Sequence, residues 1–424
     1  MDEKLARIAK YNFWGGGEMD TGFPRTAYTS RIVNYASERV VKVLVGQRRT
    51  GKSYILRQVA KHLIDSGVDR RNTFFVNKEY TAFDSVVTYL DLENLFREYI
   101  EEFSPQGRIC IFLDEVQEIE GWERFVNSYS QDCTAEYEIF ISGSNSRMLS
   151  SELSTLLSGR YVEFKVYPYS FDEYSELRSL TAKNSLAYME YMKDGGLPEL
   201  LKISDSEARM QYVQGLKNTI LLKDIIQRHN VRDSSLLEDL FVYLVNNASK
   251  LTSVQNLVDY MAGRRRKTSY ETVSSDIDYL TETFVIHKVE RYDIRGKDAL
   301  GGPAKYYTND PAFHNCLYGG YSYGEGYLLE NLVFLDLLRA SYKVYAGVLR
   351  DGEIDFVACR GDRKIYVQVS SRLHDVETIS REYSPLQKIA DNYEKYVVSL
   401  DDISLPSNNG IRNIPAWQFP AIIR

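Results

Sequence analysis

A chain of 424 residues exceeds what one hydrophobic core usually serves, so its fold is expected to divide into several domains. Apolar residues at 44% and charged residues at 26% describe globular protein that needs no disulfide or metal staple. A net charge of −7 excludes a nucleic-acid coat protein that is basic throughout, while leaving room for a local basic patch.

From residue 39 onward, strands and helices alternate as in an open α/β sheet. Residues 40–45 form a short β-branched run that ends at a glycine-bounded loop. The next stretch places Ile55, Leu56, Val59, Ala60, Leu63 and Ile64 on one helical face. Residues 73–76 predict a second strand, and Leu92, Leu95, Phe96, Tyr99, Ile100 and Phe103 a second amphipathic helix. Apolar strands are predicted at 109–113 and 137–142, and a fifth at 161–167, stopped by Pro168. Helices follow to about residue 228. Residues 236–291 suggest three short helices and then a strand or hairpin arm, an order that suits a winged helix. Glycines and charges at 295–303 place a domain boundary there, with an α+β remainder: a helix at 328–338 and strands at 354–359 and 364–369. The segments so predicted are 1–30, an α/β domain at 31–170, a helical lid at 171–228, a winged-helix-like domain at 229–300 and the remainder at 301–424.

Cys110, Cys133, Cys316 and Cys359 are scattered singly, with no metal-ligand spacing among them. No apolar run of about 18 residues occurs, and the first residues lack the apolar stretch of a signal peptide. A cytoplasmic location is the expectation from these features.

Gly46, Gln47, Arg48, Arg49, Thr50, Gly51, Lys52 and Ser53 spell G-x-x-x-x-G-K-S, with an apolar strand before and an amphipathic helix from Tyr54 after. Glycines let backbone N–H groups curl round phosphate oxygens, and the helix N-terminus adds favourable dipole charge. Lys52 is placed to neutralise the β- and γ-phosphates, and the Ser53 hydroxyl to ligate Mg²⁺. The 109–113 strand ends in Asp114 and Glu115, and carboxylates at the end of a buried strand need a metal or a partner. Asp114 is expected to hold the Mg²⁺ shell and Glu115 to polarise the attacking water. The 137–142 strand runs on to Ser144 and Asn145, either of which is positioned to sense the γ-phosphate. Arg160, following Leu157, Ser158 and Gly159, is a candidate arginine finger, in cis or from a neighbouring subunit. The adjacent glutamate favours a hydrolase, with ATP and Mg²⁺ as the expected cofactors.

These residues resemble a bacterial and archaeal family of AAA-type P-loop ATPases in which the ATPase domain precedes a winged-helix segment and a C-terminal domain. The likeness runs over about residues 31 to 400, through GQRRTGKS, IFLDEVQEIEGWERF, ISGSNSRMLSSELSTLLSGRYVEFKVYPYSFDEY, GGLPELL, LLENLVFLDLL and GEIDFVACRGDRKIYVQVS. It implies the nucleotide and Mg²⁺ roles already given to Lys52, Ser53, Asp114 and Glu115. It also implies a C-terminal fold similar to restriction endonucleases, whose metal is held by a helix Glu, a strand-end Asp and a Glu or Gln, with a Lys two residues on. Glu330, Asp355 and Gln368 fill the first three places, but Ser370 stands where the lysine is expected and Arg372 is a poor proton donor. An endonuclease-like fold without cleavage is therefore the expectation.

The densest basic run is Arg264, Arg265, Arg266 and Lys267, ahead of a segment where Val273, Ile277 and Leu280 mark one helical face. In a winged helix that segment is the recognition helix, and the run would meet phosphates. The alternative partner is a protein client.

Overall fold

The computed structural model describes residues 3–145, 159–318 and 324–424, which form two compact units, Met1–Val166 and Tyr167–Arg424. In the first unit β1 (Val41–Val45), β2 (Thr73–Asn77), β3 (Ile109–Asp114), β4 (Tyr137–Gly143) and β5 (Tyr161–Lys165) form one sheet in the order β2-β3-β4-β1-β5. Every pairing in it is parallel. A parallel sheet buried on both faces explains why its inner strands are mostly apolar, β1 to β3 being buried at every residue, with the charged exceptions Lys42 of β1 and Glu138 of β4 paired to each other. Helices Lys52–Asp65, Tyr89–Phe103 and Trp122–Gln131 make the connections, and their apolar stripes are buried. The strands predicted from the sequence all form.

The segment 1–30, set apart by the sequence, is built into this unit from residue 3 onward, together with residues 31–33. Phe13 and Ile32 share a core cluster with Leu44, Ile55 and Leu56. The Asn12 side chain both donates to the Phe75 carbonyl and accepts from the Phe75 amide, satisfying backbone groups on edge strand β2. Gln58, on the Lys52–Asp65 helix, donates to the Thr21 and Phe23 carbonyls and accepts from the Arg25 amide. This packing is hard to read because the buried residues Leu5, Ile8, Phe13 and Ile32 are widely spaced and the contacts made between them along the chain include hydrogen bonds, which leave no periodicity.

The second unit begins with helices, including Ser206–Thr219, and a π-helical turn at Ile220–Ile226. Helices Ser234–Asn246, Val254–Gly263 and Tyr270–Glu282 follow, then the antiparallel hairpin of β6 (Ile286–Asp293) and β7 (Asp298–Thr308). After helix Glu325–Arg339 come β8 (Lys343–Leu349), β9 (Gly352–Arg360), β10 (Arg363–Ser370), β11 (Glu394–Ser399) and β12 (Ile411–Pro415). One mixed seven-stranded sheet joins them in the order β12-β11-β10-β9-β8-β6-β7. The boundary expected at 300/301 thus falls inside β7. Its glycines serve the β6–β7 hairpin, where Lys297 takes φ +58°, rather than a linker. Among the described residues no helix is long and apolar enough to cross a membrane.

Candidate functional sites

The register of the first sheet decides what meets at its edge. Val45 of β1 lies beside Gly143 of β4, Leu113 of β3 beside Ile141, and Asn77 of β2 beside Asp114. The phosphate loop, the two acidic residues and the Ser144–Asn145 turn therefore open on the same side, the crevice where open α/β sheets take ligands. Gly46 is required here because an added Cβ would come within 2.2 Å of the Val166 carbonyl oxygen. Gly51, at φ +95°, turns the chain into the helix whose first residue is Lys52.

Lys52 is buried, and its Nζ donates to the carbonyls of Gly46 (3.0 Å) and Gln47 (3.1 Å) within its own loop. It stands 3.6 Å from the Glu115 carboxylate. Thr50 closes the loop by donating to the Gln47 carbonyl at 2.9 Å, and Arg48 pairs with Glu79 at 3.2 Å. Asp114 accepts from Asn77 at 2.6 Å, from the Ser142 hydroxyl, and from the Ser53 side chain. Burial, with the neighbouring Glu115 charge added, pushes its carboxyl up to about 6, against the pull of Ser142, Ser53 and Lys52. Glu115 is different. Burial would raise its pKa, but the Lys52 and Arg48 cations and hydrogen bonds from Gln117 and Ser144 outweigh this and hold it below the usual range. Its backbone is left-handed (φ +53°), its amide donates to the Ser142 hydroxyl at 3.1 Å, and its carboxylate accepts from Gln117. The edge so built offers a cation and backbone donors for phosphate, a Ser–Asp pair for a divalent metal, and an ionised carboxylate for a water.

The structure thus brings Lys52, Ser53, Asp114, Glu115 and the buried Asn145 to one edge. Tyr54 lies under the N-terminal segment instead, its hydroxyl 3.5 Å from Asp20. Arg160 sits elsewhere. Its carbonyl accepts from Val41 at 2.9 Å, and Tyr161 pairs with Val41, at the start of the parallel strands. At about 3.3 Å per residue, the length of β1 puts roughly 15 Å between that end and the phosphate loop. The exposed Arg160 side chain is therefore out of reach of a phosphate in its own chain. Residues 146–158, the middle of the third motif, lie outside the described residues.

Asn77, Ser142, Gln117 and Arg25 escaped the sequence reading. Asn77 and Ser142 close apolar strands with a polar residue, a signal that was available. Arg25 is 2% exposed and donates to the Thr50 carbonyl at 3.0 Å, yet it is far from the loop in sequence.

In the second unit Glu330 (on helix Glu325–Arg339), Asp355 (β9) and Gln368 (β10) do come together. A buried lysine stands among them, and it is Lys305 of β7. Its Nζ lies 3.1 Å from Glu330, 3.1 Å from Glu353 and 3.4 Å from Asp355. Burial would lower the Lys305 pKa, but Glu330, Asp355 and Glu353 together hold it above the ordinary value. Burial raises both Glu330 and Asp355. Ser370 donates to the Arg372 carbonyl at 3.1 Å, and Arg372 is exposed. The cation absent from the sequence motif is supplied by another strand.

The basic run is divided. Arg266 bonds Ser235 at 2.7 Å and pairs with Asp239 at 3.3 Å and Asp233 at 3.7 Å, while Arg264 lies over the Tyr260 ring. Arg264, Arg265 and Lys267 are exposed. The following helix buries Val273, Ile277 and Leu280 as expected, but its exposed face carries Glu271 and Asp278.

Residues 38–175 match the AAA domain family, and residues 185–322 match a domain of unknown function, DUF8612. An uncharacterized protein of Methanocaldococcus jannaschii is 26% identical over 380 residues, covering 86% of this chain and 81% of that protein. Among solved structures, the Walker-type ATPase of Pyrococcus abyssi is similar at a TM-score of 0.49 and 15% identity, over 70% of this chain and 95% of that one. An uncharacterized protein of Haemophilus influenzae is 34% identical over 378 residues, covering 88% of this chain and 92% of its own length. The chain belongs to the same family as this Haemophilus influenzae protein, and its first unit is an AAA-type P-loop domain.

Proposed function

We propose that this chain binds ATP with Mg²⁺, hydrolyses it, and uses the cycle as a switch or remodeller acting on a macromolecular partner. The observation that carries the reading is the convergence of Lys52, Ser53, Asp114 and Glu115 on one sheet edge. Loop amides and Lys52 bind and orient the phosphates, for which Lys52 exchanges its bonds to the Gly46 and Gln47 carbonyls. Ser53 and Asp114 would hold a Mg²⁺, which would supply positive charge to offset that of the phosphates. Glu115, kept ionised by Lys52 and Arg48, accepts hydrogen from the attacking water, while Gln117 fixes the direction of its carboxylate. Ser144 and Asn145 flank the same crevice and suit a γ-phosphate contact.

The test is nucleotide binding and phosphate release by two variants. Lys52→Ala is expected to lose ATP binding. Glu115→Gln is expected to retain it and turn over at least about a hundredfold more slowly. Parent-level turnover in Glu115→Gln would remove the glutamate from the mechanism.

For the partner, the three helices followed by the β6–β7 hairpin support a winged-helix reading, and Arg264, Arg265 and Lys267 offer phosphate contacts. The acidic face of helix Tyr270–Glu282 and the internal pairing of Arg266 favour a protein client over a nucleic acid. A nuclease acting through the C-terminal cluster is the third reading.

A further inference from the structure

The cluster around Lys305 is arranged about an ammonium. Three carboxylate oxygens from two different elements, Glu330 Oε1 on a helix and Glu353 Oε1 and Asp355 Oδ1 on β9, converge on its Nζ at 3.1 to 3.4 Å. Glu330 and Asp355, largely withdrawn from solvent, repel one another and lose hydration, so they are stable as carboxylates only around a cation, with the half-exposed Glu353 as a third partner. Further acceptor positions in the cluster are also taken. Tyr307 donates to Glu330 Oε1 at 2.7 Å, and the Val369 amide donates to Asp355 Oδ2 at 2.8 Å. Gln368 has turned its carbonyl oxygen to the Asp355 amide (3.3 Å) and its amide group to Glu382 (3.0 Å). A divalent metal would need these same oxygens at roughly 2.1 to 2.4 Å. The same three oxygens cannot serve the ammonium and a metal at once, so ammonium and metal compete for one set of ligands.

We propose that Lys305 is the resident cation of this cluster, filling the position a divalent metal would take and pinning the β6–β7 hairpin to helix Glu325–Arg339 and β9. The pin has a mechanical reason. Among the described residues β6 meets β8 over three residue pairs, from Arg291 to Asp293, and β7 pairs with β6 as its one strand neighbour, apart from a single bridge from Ala304 to Thr252. The end of β7 that carries Lys305 is held beside the helix and β9 by the Thr308–Asn331 hydrogen bonds (2.8 Å) and the Tyr307 ring against Phe334 and Phe356, and Lys305 adds the charged contact to these neutral ones. Removing the ammonium should both loosen that hold and uncover a metal site. The proposal is independent of whether the first unit hydrolyses ATP.

The test uses the full chain without nucleotide, carrying Asp114→Asn to silence the first unit's metal position, and Mn²⁺ as the probe, followed by electron paramagnetic resonance. This parent is expected to show no saturable Mn²⁺ binding that depends on Asp355. Lys305→Ala is expected to gain one saturable site, at least tenfold tighter than anything in the parent, and to lose it again when Asp355→Asn is added. A parent site that Asp355→Asn abolishes would overturn the proposal, as would a folded Lys305→Ala chain that gains none. If Lys305→Ala does not fold, the parent titration with and without Asp355→Asn decides alone. Binding that Asp355→Asn removes refutes the resident lysine, and its absence supports it.

Discussion

Lys52 in the first unit and Lys305 in the second are both buried cations beside carboxylates. Their partners differ. Lys52 leans on two carbonyls of its own loop and keeps Glu115 at 3.6 Å, whereas Lys305 lies within 3.4 Å of three carboxylates. A carbonyl contact is released cheaply when a phosphate arrives, because the phosphate replaces a neutral acceptor with a charged one. A cation already balanced by carboxylates has no such surplus to offer. What separates a binding lysine from a structural one is therefore the charge of what holds it while no ligand is present.

That contrast predicts a difference in stability. Lys305→Met removes one partner from a buried ionic cluster, which costs about 3–5 kcal/mol. Lys52→Met removes contacts to two carbonyls and one looser carboxylate contact at 3.6 Å, with Arg48 still acting on Glu115, and should cost less. Urea denaturation of the two variants side by side checks this, and adding Glu330→Gln should recover part of the loss in Lys305→Met. Equal, small losses in both would erase the distinction between the two lysines.

The second prediction concerns the acids around Lys52. Asp114 sits at about 6, while Glu115 is held below the ordinary carboxylate range. Metal binding needs the Asp114 carboxylate ionised. Because its pKa is raised, affinity is full above that value and falls as pH drops through it. Between pH 7.5 and 5.5 the Mn²⁺ affinity of the nucleotide-free chain carrying Asp355→Asn should weaken about fourfold. Nucleotide is left out because its phosphates titrate in the same window. A flat profile would show that Asp114 is not the group being titrated.

How far the sequence reaches follows the same line. The five-stranded sheet and the Lys52, Ser53, Asp114 and Glu115 constellation were legible, because a parallel buried strand writes itself as an apolar run and the phosphate loop as a fixed glycine spacing. The Lys305 cluster was half legible. Glu330, Asp355 and Gln368 lie in one motif-bearing stretch, but Lys305 comes from a hairpin that glycines made look like a linker. The cis reading of Arg160 fails for a related reason. Its distance from the phosphate loop depends on the parallel register of β5 with β1, which no local pattern states. Arg25 was missed because its partner, the Thr50 carbonyl, is a backbone group without a sequence signature.

The smallest effect is expected where the same contrast is played out on the surface, in the basic run. Arg266 is committed like Lys305: Asp233, Asp239 and Ser235 hold it. Arg264, Arg265 and Lys267 are exposed, as cations awaiting a partner would be. If duplex DNA binds here, each of these three should contribute one phosphate contact, and each alanine substitution should flatten the log-affinity versus log-salt slope by about one unit. Arg266→Ala should leave that slope unchanged. Its loss should be felt instead in the fold, by at most about 1 kcal/mol, because the pair is partly exposed and screened. A salt titration of the four single variants reads all of this in one series. A slope change in Arg266→Ala equal to that of its neighbours would show that pairing within the chain does not spend a cation. Slopes unchanged in all four would leave the acidic face of helix Tyr270–Glu282 to a protein partner.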